Sequence, residues 1–416
     1  MEPRDLFDQI QSATGEGLGM AGARQASPGL IIAICFGIAA LEGYDIQAFG
    51  VAAPHMAPDL KLGPAELGWA GSAAMIGLVI GALFGGWAAD RHGRRPVLLG
   101  SVALFGVFSL ATALAINFET LTLARLATGL GFGGAMPNLI AIATEISPPH
   151  RRALTTTSMF CGLPVGGALV ALAAQVGEQV DWRMLFMIGG ALPLMLVPVV
   201  YFLLPETRPA RSDARPPPQM LSGLFADGRA FATIMIWTVF ALDLLVTYLL
   251  LNWLPLLVVA KGFTATQGAS AAFAMNIMAV VGSLVLGWGA DKIGYRWLLI
   301  AVFGGLAAAL YALAAADGMP IILAASGAAG FTVIGGLYVL YALAPIYYPP
   351  QFRAAGAGAS VAAGRLGSIV GPLIAGQLRA VGYGPGEVLS ALAPVAVVTM
   401  AAVFMLTTYG KPYRED

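Results

Sequence analysis

The sequence predicts an all-α integral membrane protein with twelve transmembrane helices in two pseudo-repeated six-helix halves. Three observations support this fold class. The chain has 416 residues, of which 58% are hydrophobic and only 11% are charged, whereas a soluble domain carries about 25% charged residues. Its apolar residues form twelve segments that approach the roughly 20 residues a spanning helix needs. Two polar loops also recur along the chain at one fixed offset.

Composition also excludes several classes of function. The net charge of zero argues against a nucleic-acid partner. Cys35 and Cys161 both lie in apolar segments, so we expect buried thiols rather than a disulfide framework or a metal site. The three histidines lie outside the helix cores, and no nucleophile–base spacing is present, so we expect neither an enzyme nor a cofactor. The first 28 residues lack the apolar core of a cleaved signal peptide.

Twelve spans follow from the apolar segments, with boundaries good to a few residues. An even number of spans places both termini on the same side of the membrane. The predicted spans are 29–54, 67–89, 97–116, 120–145, 154–176, 184–204, 230–259, 268–290, 297–315, 320–345, 355–378 and 387–408.

The distribution of lysine and arginine predicts which side that is, because cytoplasmic loops carry an excess of these residues. With a cytoplasmic N-terminus, 16 of the 22 basic residues lie in cytoplasmic segments. Four lie in outer loops and two, Arg125 and Arg365, lie within spans. We therefore expect a multi-pass protein of the bacterial inner (plasma) membrane with both termini in the cytoplasm.

A Pro- and Arg-rich stretch divides the chain into two halves. It separates the sixth and seventh spans, and its composition is typical of a linker. The predicted organisation is a cytoplasmic segment 1–28, a six-helix half 29–204, a cytoplasmic linker 205–229, a second half 230–408 and a cytoplasmic tail 409–416.

The two halves show the marks of a duplication. Arg152-Ala153 and Arg353-Ala354 lie 201 residues apart, after the fourth and tenth spans, and the loops after the second and eighth spans have the same offset. A duplicated six-helix unit predicts a binding site between the repeats, near the middle of the membrane. The two loops read Gly86-Trp87-Ala88-Ala89-Asp90-Arg91-His92-Gly93-Arg94-Arg95 and Gly287-Trp288-Gly289-Ala290-Asp291-Lys292-Ile293-Gly294-Tyr295-Arg296.

These features resemble the major facilitator superfamily. The first loop matches that superfamily's signature loop at every fixed position. The first span is similar to that of the aromatic acid:proton symporters, which carry an acidic-Gly-aromatic-Asp motif, although Glu replaces the usual Asp at its first position. Further stretches are similar to the 3-(3-hydroxyphenyl)propionate transporters of that family. The residues that carry these two likenesses are Glu42-Gly43-Tyr44-Asp45, Gly100–Gly106, Asn252–Leu257, Leu340–Pro345 and Gly364–Gly367.

The acidic residues in the spans are candidates for proton coupling. Glu42 and Asp45 lie roughly 20 Å into the first span and share a helix face. Acids at this depth are costly unless they face a cavity or a partner, so we expect these two to carry the proton. Asp243, in the seventh span, matches no family motif, and a proton-path role and a structural hydrogen-bonding role are equally open.

The two basic residues in the spans are candidates for binding a carboxylate. Arg365 lies near the midplane, and its planar guanidinium suits a bidentate contact with a substrate carboxylate or an ion pair with Glu42 or Asp45. Arg125 lies about 9 Å from the outer end of its span, so it faces either the cavity or the headgroups. Aromatic and amide side chains would complete the substrate site: Tyr44, Tyr248, Asn252, Tyr338 and Tyr341.

The loop after the second span predicts a gate on the cytoplasmic side. Asp90 can lie against the N-terminal end of the eleventh span, where Gly356 and Gly358 permit close approach. Its basic residues can pair with acids at neighbouring helix ends, of which Glu145 is the nearest candidate. The second copy has Tyr295 where an arginine is expected, which predicts a weaker latch. The basic members of the first loop are Arg91, Arg94 and Arg95.

A glycine pattern in the fourth span has the spacing of a dinucleotide-binding loop. It lies inside a membrane span with no strand before it, so we interpret the glycines as sites of close helix packing. This pattern is Gly129-Leu130-Gly131-Phe132-Gly133-Gly134.

The resemblance and these residues together predict a symporter. We expect proton-coupled import of a small aromatic carboxylate by alternating access, with 3-(3-hydroxyphenyl)propionate or a related phenylpropanoid as the preferred substrate and a benzoate such as 4-hydroxybenzoate as the alternative. A proton-driven exporter and a non-transporting receptor are less favoured alternatives. The expected partners are the aromatic acid, protons and the lipid bilayer, and the expected state is a monomer.

Overall fold

The computed structural model describes residues 27–148, 152–176, 181–204 and 220–413. Within these ranges eleven helices are long and apolar enough to cross a membrane. The fifth predicted span is also present, but a break at Cys161 divides it into two shorter helices. The twelve-span prediction is therefore confirmed, while the segment before Ser27, most of the linker and the end of the tail lie outside the described residues.

The helices are α1 (Pro28–Asp59), α2 (Pro64–His92), α3 (Arg94–Ala113), α4 (Phe118–Ile146), α5 (Arg152–Phe160), α6 (Gly162–Ala173), α7 (Trp182–Leu203), α8 (Met220–Phe225), α9 (Ala230–Ala260), α10 (Ala265–Ile293), α11 (Tyr295–Ala315), α12 (Met319–Leu343), α13 (Arg353–Ala380), α14 (Pro385–Ser390) and α15 (Leu392–Tyr409). The last two, α14 and α15, together form the twelfth span.

Local sequence explains where the long helices begin. Ser27 caps α1 by accepting a hydrogen bond from the Leu30 N–H, and Pro28 occupies the first helical position, where its missing N–H costs nothing. Thr264 begins α10 with a capping box, in which its side chain and that of Gln267 bond each other's backbone N–H groups. These caps matter because the first N–H groups of a helix have no partner within it.

The duplication is visible in the helix bounds. α2 and α10 begin 201 residues apart and end 201 residues apart, at Pro64–His92 and Ala265–Ile293. Each is followed by a glycine with positive φ, 96° at Gly93 and 82° at Gly294. Residues with a Cβ rarely adopt this conformation, so glycine allows the sharp turn into the next helix. The offset found in two loops therefore extends through the bundle.

The long helices alternate in direction, which gives the bundle two ends. We call the end where α1 begins and α15 ends the terminal face, and the other end the distal face. Glycines bring α2 and α4 into backbone contact within the first half: a Cβ at Gly129 or Gly133 would overlap the Ala74 or Leu78 carbonyl. This confirms that the glycine pattern of the fourth span serves helix packing.

The two halves meet closely between their middle and the distal face. Ser72 donates to the Ile369 carbonyl (2.7 Å), and Gln47 and Asn276 exchange two side-chain hydrogen bonds of 3.0 and 2.6 Å. Gly68 of α2 packs directly on the backbone of α13, where a Cβ would meet the Pro372 carbonyl. These contacts close the path between the halves on the distal side.

The end of the predicted linker is folded rather than extended. α8 packs beside the second half, where Arg229 donates to the Gly223 carbonyl through two nitrogens at 3.2 and 3.0 Å. Thr233 donates to the Leu224 carbonyl (2.7 Å) and accepts from the Tyr348 hydroxyl (3.1 Å). Residues 220–229 therefore belong structurally to the second half.

Candidate functional site

A central cavity with an empty volume of about 690 Å³ lies between the two halves, at mid-depth in the bundle. Helices α1, α4, α5 and α6 line it from the first half, and α9, α12 and α13 line it from the second. The polar and aromatic residues of its wall are Glu42, Gln47, Phe160, Thr247, Tyr248, Tyr338, Tyr341 and Arg365.

Glu42 supplies the carboxylate of the cavity. It lies mid-way along α1 and only 2% of it is exposed. Its Oε2 has no hydrogen-bond partner, and it forms no direct ion pair with any described residue. A buried polar atom without a partner is uncommon in native structures and needs an explanation. The unbonded Oε2 faces the cavity, where it is accessible to a proton or a ligand.

Arg365 supplies the cation of the cavity. Its Nη1 donates to the Tyr248 hydroxyl at 3.0 Å, which holds the guanidinium against α9. Glu42 is near enough for an electrostatic interaction with it. The guanidinium has five N–H donors, so its contact with Tyr248 leaves donors free for a carboxylate. The predicted Arg365 ion pair with Asp45 is not formed, because Asp45 has another partner.

An aromatic group covers one side of the cavity near the terminal face. Phe160 and Tyr341 are stacked with ring centroids 6.2 Å apart, and Tyr338 lies 6.2 Å from Tyr341. The Tyr338 hydroxyl donates to the Phe160 carbonyl at 2.9 Å, which joins α12 to α5 across the two halves. Such rings present flat apolar faces with polar tips, which suits a substrate that carries both a ring and hydroxyls.

Asp45 lies outside the cavity, although only three residues separate it from Glu42. Its Oδ1 lies 2.6 Å from Arg125 Nη1, and its Oδ2 accepts a hydrogen bond from Ser109. The Arg125 guanidinium lies over the rings of Phe49 and Phe186, with centroids 5.5 and 5.6 Å away. Arg125 therefore faces neither the cavity nor the headgroups, and its placement among cavity residues was wrong.

Two other predicted substrate contacts also lie outside the cavity. Asn252 donates to the Tyr248 carbonyl at 2.8 Å and packs beside Gly71 in the distal contact between the halves. Tyr44 lines a different groove, together with Leu169 and Leu192. Both placements follow from the position of these residues around the helix axis, because the side-chain direction turns by about 100° from one residue to the next.

Comparison with known proteins now assigns the family. Residues 35–372 match the model of the Major Facilitator Superfamily. The chain belongs to this superfamily. It is therefore a membrane transporter of the major facilitator fold and not an enzyme.

Several similar proteins of the superfamily are named as transporters of aromatic acids. The chain is 44% identical to the 3-(3-hydroxy-phenyl)propionate transporter of Escherichia coli strain K12 over 377 residues, covering 91% of this chain and 93% of that protein. It is 33% identical to a 4-hydroxybenzoate transporter of Pseudomonas aeruginosa, covering 90% and 91% of the two chains. A gallate transporter of Pseudomonas putida is 34% identical over 85% of this chain and 86% of its own.

Solved structures of the superfamily share the fold at low sequence identity. A bacterial homologue of the human lysosomal transporter Spinster, in an inward-facing and unoccupied conformation, aligns with a TM-score of 0.78 at 18% identity, covering 94% of this chain and 99% of that one. A D-xylose–proton symporter aligns with a TM-score of 0.73 at 16% identity, covering 92% and 98%.

The superfamily's signature loop lies at the terminal face. Arg94 at the start of α3 forms an ion pair with Glu145 at the end of α4. Arg91 lies over the Trp87 ring (4.3 Å) and Arg95 over the Tyr201 ring (4.8 Å). Every one of these contacts lies within the first half.

Asp90, in the same loop, is exposed, and the expected contact with the start of α13 is not formed in this structure. Gly358, on the α13 side of that contact, has open space where a Cβ would stand. Among the described residues the polar contacts that join α2 to α13 thus lie toward the distal face and not at Asp90.

The sequence did not predict three polar residues of the site. Gln47 and Asn276 form the amide pair beside the cavity, and Thr247 lines its wall with a buried hydroxyl that has no hydrogen-bond partner. Uncharged residues in an apolar span give a weak signal in one sequence. Asp243, a predicted candidate, has both carboxylate oxygens buried without a hydrogen-bond partner among the described residues.

Proposed function

We propose that this protein is a proton-coupled symporter that imports a small aromatic carboxylate by alternating access. The single observation that carries the proposal is the presence of opposite charges in one central cavity. Arg365 contributes a positive charge, and Glu42 contributes a carboxylate whose Oε2 is unbonded. An aromatic wall lies beside them.

The charge balance of the cavity couples substrate binding to proton binding. With Glu42 ionised the cavity is neutral, and an entering anion would add an uncompensated negative charge at low dielectric. With Glu42 protonated, the positive charge of Arg365 remains and the substrate carboxylate neutralises it. Anion binding therefore favours proton binding, and proton binding favours anion binding. Thermodynamic linkage requires this reciprocity.

The residues of the cavity have different roles in substrate binding. Arg365, positioned by Tyr248, binds the carboxylate, and the aromatic group of Phe160, Tyr338 and Tyr341 stacks on the ring. Glu42 carries the proton. Asp45 supports this site from within the first half, where it forms a buried ion pair with Arg125.

The relatives support the choice of substrate. A 44% identical transporter is named for 3-(3-hydroxy-phenyl)propionate, so a hydroxylated phenylpropanoid is the preferred substrate here. The 33% identical transporter named for 4-hydroxybenzoate makes a hydroxybenzoate the second choice.

We place the protein in the bacterial inner membrane with the terminal face in the cytoplasm, as the excess of lysine and arginine there favours. The cavity then faces the cytoplasm in this state, because the distal contacts are closed. Asp90 would approach the start of α13 only when the terminal face closes, with Arg91, Arg94, Arg95 and Glu145 holding the loop in shape.

Calorimetric titration of 3-(3-hydroxyphenyl)propionate into purified protein tests this proposal. Comparing buffers of different ionisation enthalpy gives the number of protons taken up with each anion. We expect proton uptake in the wild type near neutral pH that falls by about one proton in Glu42→Gln, in which the side chain is permanently neutral. Glu387→Gln, on the exposed distal side, is the matched control and should behave as the wild type.

Uptake into proteoliposomes under an imposed pH gradient separates import from the alternatives. Accumulation that a protonophore abolishes supports a symporter. Binding without counterflow exchange would identify a receptor, and extrusion coupled to proton entry would identify an exporter. A number of protons taken up on binding that is unchanged in Glu42→Gln would remove Glu42 from the mechanism.

A further inference from the structure

The offset of 201 residues relates the two acids at the middle of the bundle. Glu42 in α1 and Asp243 in α9 occupy equivalent positions of the two halves. The residues one turn further along correspond as well: Ile46 to Thr247 and Gln47 to Tyr248, and all four line the cavity. The duplicated unit thus places a carboxylate at the same height on both sides of the substrate site.

Asp243 differs from Glu42 in its surroundings. It is 1% exposed and does not line the cavity, and neither of its carboxylate oxygens has a hydrogen-bond partner within the part of the chain that the structure describes. An ionised carboxylate in such a place would cost several kcal/mol, because no charge or donor compensates for lost water. Asp243 is therefore neutral in this state, and a neutral acid carries a proton.

Two hydroxyl side chains that line the cavity lie near Asp243. Thr247 lies one helical turn away on the same face of α9, lines the cavity and has an unbonded hydroxyl. Tyr341 of α12 lines the cavity and interacts electrostatically with both Asp243 and Arg365. Its ring lies 5.5 Å from that of Phe240, one turn before Asp243. Hydroxyls both donate and accept, so both groups suit proton transfer.

Other elements that pack against α9 bring few titratable groups to this level. α12 contributes Tyr338 and Tyr341, α13 contributes Arg365, and α1 contributes Glu42, Tyr44 and Asp45. α10 and α15 carry titratable side chains only at their terminal-face ends. Because Asp45 is bound to Arg125, the cation free to respond to ionised Asp243 is Arg365.

We propose that Asp243 is a second proton-binding site that exchanges with the cavity past Thr247 and Tyr341, so that two protons accompany each aromatic carboxylate. The proposal rests on the proposed proton-coupled function and extends it. In this state Arg365 contacts the Tyr248 hydroxyl and Asp243 keeps its proton. Once the substrate has left, a turn of the Arg365 guanidinium from Tyr248 toward Asp243 stabilises the ionised carboxylate, and the proton is released. One anion with two protons moves one net positive charge in each cycle.

The net charge gives a sharp test in proteoliposomes. A membrane potential acts on one charge with about 2.3 kcal/mol per 100 mV, which corresponds to about fiftyfold accumulation with no pH gradient. We expect the wild type to approach this value at an inside-negative potential of 100 mV. Asp243→Asn, an uncharged analogue of the protonated form, should carry one proton and show no accumulation driven by potential alone. It should still accumulate substrate about tenfold per unit of pH gradient.

The controls keep the test decisive. Asp317→Asn, at an exposed acid on the distal side, should retain the wild-type response to potential. A wild type insensitive to potential overturns the proposal, as does an Asp243→Asn variant with an unchanged response. If Asp243→Asn and Asp243→Ser both lose counterflow exchange while remaining folded, Asp243 is structural and the proposal fails. Absence of any pH-driven uptake by the wild type would instead refute the proposed symport.

Discussion

The two halves of this bundle treat their mid-depth charges differently. In the first half, Asp45 and Arg125 bind each other at 2.6 Å and both are almost fully buried. In the second half, Asp243 and Arg365 form no such pair: Arg365 contacts a tyrosine hydroxyl and Asp243 contacts no donor. A completed pair serves the fold, whereas separated charges remain available to ligands. Besides Glu42, the first half thus holds a completed buried ion pair, whereas Asp243 and Arg365 of the second half are not paired with each other.

Arg125→Ala should produce the largest loss of stability, because it leaves Asp45 buried without its cation. Breaking a buried pair by removing one partner costs about 3–5 kcal/mol. Thermal unfolding in detergent measures the effect, with Arg365→Ala as the matched control in the second half. The double variant Asp45→Asn/Arg125→Ala should recover part of the loss. If the Arg125→Ala and Arg365→Ala proteins unfold at the same temperature, the proposed difference between the two halves is contradicted.

Arg365→Ala should instead produce the larger loss of binding. We expect its affinity for 3-(3-hydroxyphenyl)propionate to fall more than tenfold, since a charge-assisted bond to a carboxylate contributes about 1.5–3 kcal/mol. Calorimetric titration measures this, and Arg365→Lys should restore only part of the affinity because it lacks the planar fork. A normal affinity would mean that Arg365 is structural.

Asn276→Leu should shift the balance between open and closed distal faces. It leaves the buried Gln47 amide without its partner, which costs about 1–3 kcal/mol in the closed state. Spin labels at Lys61 and Asp317, in distal loops of the two halves, report the separation by pulsed electron resonance. The long-distance population should rise several-fold, whereas Thr332→Val, within one half, should leave it unchanged. An unaltered distance distribution would show that the amide pair does not hold the distal face closed.

Arg94→Ala should have the smallest effect on stability, within about 1 kcal/mol, because its pair with Glu145 is partly exposed. The equivalent positions in the second half are Tyr295 and Ile346, so this ion pair has no counterpart there. Arg94→Ala should nevertheless slow uptake while leaving substrate binding near normal. Loss of binding in folded protein would argue against a gate.

Much of the fold was readable from the sequence. Spans predicted at 67–89 and 268–290 appear as Pro64–His92 and Ala265–Ile293, because long apolar runs and terminal caps are strong signals. The break at Cys161 and the helix α8 were not foreseen. Both depend on packing against other parts of the chain, which apolar content and linker composition do not reveal.

The site was predicted less completely, for a physical reason. Depth along a helix follows from counting residues, so Glu42 and Arg365 were placed correctly near the middle. Direction around the helix follows from an apolar stripe, and helices that are apolar on all sides have no such stripe. Tyr44, Arg125 and Asn252 were therefore assigned to the cavity although they point elsewhere. Asp45 was expected to share a face with Glu42, yet its ion pair to Arg125 lies in the first half's own core.

The amide pair between Gln47 and Asn276 also constrains how this sequence can vary. Each amide donates to and accepts from the other, so a change at one position leaves two buried polar groups unmatched at its partner. Gly167 belongs to the same unit, because a Cβ there would overlap the Gln47 side chain. Descendants of this chain should therefore alter the three positions together, and variants made one at a time should be recovered by second-site changes within the trio.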